Sequence, residues 1–228
     1  MSIGTAPCAE NSGNEDTMHL HEGQPLVVRG RPLAESHAVA IMMHGRGRTT
    51  DDILELATRI GNNAFTYLAP TAQDNTWYPY GFMETIEKNE PFLSSALAVY
   101  DALIARLLAQ GFSKEQIILL GFSQGACLTA EYAVRHADRY GGIVLFTGGL
   151  IGPPGTSWPY PGSFQGTPIF LGTSDIDGFV PLARVQESAA IFAQMGAQVT
   201  ERVYPGMDHL VNDDEIAIAR TILQAISA

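Results

Sequence analysis

The ten residues LLGFSQGACL, 119–128, set a serine between two glycines, with an apolar run before it and helix-forming residues after it. The run IILLGF reads as a buried strand and GACLTAEYAVRHA as a helix, so the chain must turn sharply at Ser123. Side chains at the flanking positions would crowd such a turn. Gly121 and Gly125 remove the Cβ atoms that would clash, and the hydroxyl is left exposed at the tip. The string has the form G-x-S-x-G, and its position between strand and helix gives it weight.

The same alternation runs outward in both directions. Toward the N-terminus AVAIMMH precedes DDILELATRIG, and FTYLAP precedes FLSSALAVYDALIARLLAQG. Toward the C-terminus GGIVLF and TPIFLG lead to PLARVQESAAIFAQMG, then QVTERVYPG and EIAIARTILQAIS. Continuous apolar strands alternating with helices predict an α/β fold, a mainly parallel sheet with helices on both faces. Catalytic groups in such folds gather at the carboxyl ends of the strands. No linker divides the 228 residues, so one domain is expected over 18–228, preceded by a polar, flexible leader over 1–17.

Composition excludes several classes of function. A 46% hydrophobic and 16% charged chain is rich enough in apolar residues for a core. The net charge of −11, with scattered cations, argues against nucleic acid and anionic membranes as partners. The N-terminal stretch lacks a basic segment followed by an apolar one, which makes the cytoplasm the expected compartment. Cys8 and Cys127 are expected as free thiols. His19 and His21, two apart on an expected first strand, read as surface residues, because no cluster completes a metal site around them. Neither a metal nor an organic cofactor is expected.

A serine hydroxyl is a weak nucleophile that needs a base and a third group to orient the base. Ser, then acid, then His is the chain order of the α/β-hydrolases. Only His136 and His209 follow Ser123, and His136 lies three turns down the helix that leaves the turn, roughly 20 Å away. His209, in the Pro/Gly loop of YPGMDHLVNDDE, is the expected base. The acid should lie in TSDIDGFVP, where Asp175 and Asp177 both qualify and spacing does not choose between them. Gln124, directly after the nucleophile at a helix N-terminus, offers one backbone N–H to an oxyanion.

From about residue 20 to the C-terminus the chain resembles the phospholipase/carboxylesterase group of α/β-hydrolases, which includes acyl-protein thioesterases and small bacterial carboxylesterases. The resemblance rests on MMHGRGRTTDDIL, GFSQGACLTAEYA, GTSDIDGFVP and YPGMDH. It implies that the acid is the Asp four residues before Pro181, hence Asp177, with Asp175 in support, and that the Arg46 backbone N–H is the second oxyanion donor. Asp208 stands where the family usually has Gly before the His.

The resemblance further implies a serine carboxylesterase acting on a small-molecule ester of short to medium chain length, with an acyl-protein thioesterase or lysophospholipase as the rival. A non-catalytic binding module on the same scaffold is a remote alternative. The long loop TAQDNTWYPYGFMETIEKNEP, made aromatic by Trp77, Tyr78, Tyr80 and Phe82 with Met83 beside them, is expected to wall the pocket, chiefly through Trp77, Tyr80 and Phe82, with Phe179 and Leu210 beside the acid and base. Arg46 and Arg48 are expected to pair with Asp51, Asp52 or Glu84, with attraction of a substrate carboxylate or phosphate as the alternative. No room is left for a helical lid. A homodimer is left open.

Overall fold

In the computed structural model, which describes residues 20–227, the alternate residues of each strand sort onto two faces. The strands are β1 (Leu26–Gly30), β2 (Ala38–Met43), β3 (Phe65–Pro70), β4 (Ile117–Phe122), β5 (Gly142–Phe146), β6 (Pro168–Ser174) and β7 (Gln198–Tyr204). The helices are α1 (Thr50–Ile60), α2 (Ile86–Asn89), α3 (Phe92–Ala109), α4 (Gln124–Arg135), α5 (Leu182–Gln194) and α6 (Asp213–Ser227). The leader expected over 1–17, Cys8 and His19 lie outside the described residues.

One seven-stranded sheet results, in the order β1-β3-β2-β4-β5-β6-β7. Only β1 runs antiparallel, against β3. On one face Ile41, Leu119, Leu145 and Leu171 pack under α3, α4 and α5. On the other, Met42, Leu120, Val144 and Phe170 pack under α1 and α6. Successive side chains of a strand point to opposite faces, so a strand covered on both sides must be apolar at every position. That is why these segments read as continuous apolar runs.

Helix α1 starts on a capping box, Thr49 accepting from the Asp52 N–H while the Asp52 carboxylate accepts from the Thr49 N–H at 2.7 Å. It stops at Gly61, whose φ of 68° is left-handed. By length and a mean hydropathy of 1.6, α3 would pass for a membrane span. Its Leu93, Leu97, Tyr100, Ile104 and Leu107 are instead buried within the molecule. The connection 147–167 contains no helix, in keeping with a fold without a lid.

One expectation fails here. His21 is 3% exposed, in a turn ahead of β1, rather than on a strand surface. Its Nδ1 accepts from the Gln73 N–H and its Nε2 donates to the Trp77 carbonyl, so it is a neutral pin between the chain start and the aromatic loop. Burial lowers its pKa, which keeps it neutral. The i, i+2 spacing carried no sign of those two partners, which come from a loop 52 and 56 residues away.

Candidate active site

Strand β4 passes into α4 through a single strained residue. Ser123 has φ 54° and ψ −120°, a region that L-residues rarely adopt. A Cβ on Gly121 would collide with the backbone of Gly125 and Ala126, and one on Gly125 with the carbonyls of Met43 and His44 at the end of β2. Both glycines are therefore required by backbone approach, and they let α4 sit directly on the sheet. The Ser123 N–H donates to the Phe146 carbonyl at 3.0 Å, fastening the turn to β5.

His209 is held on the loop between β7 and α6. Its Nε2 lies 2.9 Å from Ser123 Oγ and its Nδ1 2.6 Å from Asp177 Oδ2. The other Asp177 oxygen accepts from the Phe179 and Val180 N–H groups at 2.8 and 2.9 Å. Burial pushes the Asp177 carboxyl up, but the hydrogen bonds from His209 and from those two amides outweigh it and hold it below its usual range. An ionised carboxylate only accepts, so His209 Nδ1 carries its proton toward Asp177 and Nε2 is free to accept from the serine. Asp175 lies elsewhere: its Oδ1 accepts from the Gly206 N–H at 2.8 Å and ties the acid loop to the histidine loop. Asp208 is exposed, with no hydrogen bond from its side chain among the described residues.

The loop after β2 is aimed by His44. Its Nδ1 donates to the Gly45 carbonyl and its Nε2 accepts from the Ala72 N–H, a neutral tautomer that burial favours. The Arg46 N–H is left without a partner among the described residues. The Gln124 N–H opens α4, where no helical acceptor precedes it. The Gln124 side chain accepts from the Trp77 N–H and donates to the Tyr78 carbonyl, clamping the aromatic loop against the turn.

A cavity of about 440 Å³ opens over Ser123, walled by Tyr78, Phe82, Phe122, Phe179 and Val180. Of the expected wall residues, Phe82 and Phe179 are there. Trp77 is not: it is fully buried, its indole N–H on the His44 carbonyl, because Gln124 draws the backbone of residues 77 and 78 inward. Tyr80 is 56% exposed and lines neither this cavity nor its neighbour. Leu210 lines only a second cavity of about 260 Å³, which adjoins the first along Gly45, Arg48, Phe122 and His209. Tyr78 of the aromatic loop lines the first cavity too, while sequence reasoning missed Phe122 and Val180, although both lie inside the quoted motifs. Cys127 reaches the cavity wall, and burial pushes its thiol up to about 12, which leaves it unreactive.

The carboxylate pairings expected for Arg46 and Arg48 do not form. Asp51 pairs with Arg29, Glu84 with Lys88, and Asp52 caps α1. Arg46 instead donates to the Pro79 and Tyr80 carbonyls over the Tyr78 ring.

Beneath the histidine loop, Glu215 closes a capping box on α6: it accepts from the Asn212 N–H at 2.8 Å and donates its own N–H to Asn212 Oδ1 at 2.9 Å. Its other oxygen is buried against Gly172 without a partner among the described residues. Burial pushes this carboxyl from about 4.5 up to about 7, outweighing the Asn212 hydrogen bond. The folded protein therefore holds a proton here that the unfolded chain releases, and the contribution of Glu215 to stability declines as pH rises from about 4.5 to about 7 and is level above. Glu215→Gln keeps the capping oxygen and removes the charge. We expect it to stabilise the protein by about 1–3 kcal/mol at pH 8 and negligibly at pH 4, read from denaturant melts. An equal effect at both pH values would contradict this account.

A family profile described as phospholipase/carboxylesterase matches residues 26–227. The crystal structure of a phospholipase/carboxylesterase from Dyadobacter fermentans superimposes with a TM-score of 0.84 at 42% identity, covering 90% of this chain and 97% of that one. Acyl-protein thioesterase 1 of Saccharomyces cerevisiae is 31% identical over 144 residues, 61% of this chain and 63% of that protein. Arabidopsis thaliana SOBER1 shares the fold, with a TM-score of 0.70 at 20% identity over 84% of this chain and 99% of that one. The chain aligns with 49%, 63% and 58% of the lengths of three curated relatives it matches.

Proposed function

Since the chain belongs to the phospholipase/carboxylesterase family, and so to the hydrolases that include carboxylesterases and acyl-protein thioesterases, we propose that it is a serine carboxylesterase of short- to medium-chain esters. The observation that carries this reading is the unbroken hydrogen-bond chain from Asp177 through His209 to Ser123. Ser123 Oγ attacks the ester carbonyl as His209 Nε2 takes its proton, and the oxyanion that forms is met by the N–H groups of Arg46 and Gln124. Collapse of this intermediate expels the alcohol, which takes the proton from Nε2. Water then attacks the acyl-enzyme by the same route and frees the acid. Asp177 stays ionised throughout and supports the imidazolium.

The size of the cavity supports a short acyl group. Each further CH₂ adds about 0.8 kcal/mol, roughly fourfold in kcat/KM, only while the wall encloses it. On p-nitrophenyl esters kcat/KM is expected to peak between acetyl and hexanoyl and to fall beyond octanoyl. Phe82→Ala, which removes a wall side chain, should move the optimum to longer chains. The rival reading, a long-chain thioesterase, draws on the similarity to the yeast protein. A wild-type optimum at palmitoyl would put that reading first.

A further inference from the structure

The loop after β2 carries two arginines, and only one of them is used by the fold. Arg46 is held by two carbonyls and the face of Tyr78. Arg48 is exposed, and its guanidinium makes no hydrogen bond or ion pair among the described residues. The carboxylates nearest in sequence are hydrogen-bonded elsewhere, Asp51 to Arg29 at 2.6 Å and Asp52 to the Thr49 N–H and hydroxyl at 2.7 and 2.9 Å; Asp52 shares the smaller cavity with Arg48 and feels its charge without forming an ion pair with it.

Arg48 nonetheless lies at the reaction centre. The position that a Cβ on Gly45 would occupy is 3.5 Å from Arg48 Cγ and 3.4 Å from Ser123 Cβ, so the arginine stem and the nucleophile flank the same point of this loop. Arg48 also lines both cavities. The larger is lined by Ser123 and Gln124 and fits the acyl group. The smaller is lined by His209 but not by Ser123, so it adjoins the base rather than the nucleophile and fits the alcohol, which takes its proton from that base. The other cation of that lobe, Arg59, is taken by Asp213 at 2.9 Å and by the Val211 carbonyl at 3.0 Å. Ile53, Leu56 and Leu210 supply an apolar floor.

We propose that Arg48 binds a carboxylate carried by the alcohol part of the ester, which makes the preferred substrates esters of hydroxy acids or carboxyphenols. This rests on the serine-esterase reading. In a chain with a net charge of −11, the general field repels an anion, and an unpaired guanidinium in the cleft is the local group that reverses this. Its planar fork matches a carboxylate with two parallel N–H bonds.

The test compares para-carboxyphenyl acetate with its neutral counterpart, para-carbamoylphenyl acetate, in wild type and in Arg48→Gln, Arg48→Glu and Arg48→Lys. The ratio of kcat/KM, anionic over neutral, is expected to fall about five- to twentyfold in Arg48→Gln and further in Arg48→Glu, with Arg48→Lys retaining part of it. Raising the ionic strength should lower the ratio in wild type and raise it slightly in Arg48→Gln, where only the repelling field of the acidic chain is left to screen. An unchanged ratio in Arg48→Gln overturns the proposal. So does a change confined to an ester with the carboxylate on the acyl side, p-nitrophenyl hemisuccinate against p-nitrophenyl butyrate. If wild type fails to hydrolyse even p-nitrophenyl butyrate, the esterase reading falls and this one with it; a normal rate on that ester with an unchanged ratio removes only the role of Arg48.

Discussion

Ser123→Ala is expected to lower kcat/KM for p-nitrophenyl butyrate by about 10³-fold or more, while the protein stays folded. Among the described residues the hydroxyl makes one hydrogen bond, to His209, and it lies at the edge of a cavity rather than in the core. Alanine keeps the Cβ and the backbone bond to Phe146, so the strained turn survives with a stability change of about 1 kcal/mol or less. Circular dichroism and a thermal melt would verify the fold, and labelling by a fluorophosphonate probe should vanish with the activity. Retention of more than a few per cent of wild-type hydrolysis would remove Ser123 as the nucleophile. Loss of labelling together with loss of the melt would instead show that the turn needs the hydroxyl to fold.

The second large effect separates two aspartates that stand two residues apart. Asp177→Asn is expected to cost about 10³- to 10⁴-fold in kcat, and Asp175→Asn less than about tenfold. The reason lies in where the oxygens point. One Asp177 oxygen accepts from two backbone N–H groups, those of Phe179 and Val180, so an asparagine must place its carbonyl there and turn its NH₂ toward His209. His209 Nδ1 must then accept, its proton moves to Nε2, and Nε2 can no longer take the proton of Ser123. At position 175 the single partner among the described residues is the Gly206 N–H, which an asparagine carbonyl satisfies equally well. Steady-state kinetics of both variants decides the matter, and a reversed order of losses would make Asp175 the orienting acid.

The architecture was legible in the chain because its causes are local. Strands covered on both faces must be apolar at every position, and the runs at 38–43, 117–120 and 142–146 announce themselves in that way. The glycines at 121 and 125 are equally local, since the backbone approach they allow occurs within one turn and at the adjoining strand end. His209 followed from chain order and from the length of α4, which carries His136 away from the turn.

What the tertiary structure decided were matters of direction and partner. Spacing left Asp175 and Asp177 equal, and a family resemblance was needed to prefer one; the difference is made by two amides that face only Asp177. The aromatic loop announced a wall, yet the side chain of Gln124, 46 and 47 residues away, sets its backbone and thereby buries Trp77 while Tyr78 and Phe82 line the cavity. Arg46 and Arg48 look alike in sequence, and only the carbonyls of Pro79 and Tyr80 distinguish the anchored cation from the free one. The burial of His21 and Glu215 has the same origin. A residue's propensity and its immediate neighbours are written in the chain, whereas its solvent exposure and hydrogen-bond partners come from segments that folding brings together, so they exist only once the sheet and its helices have packed.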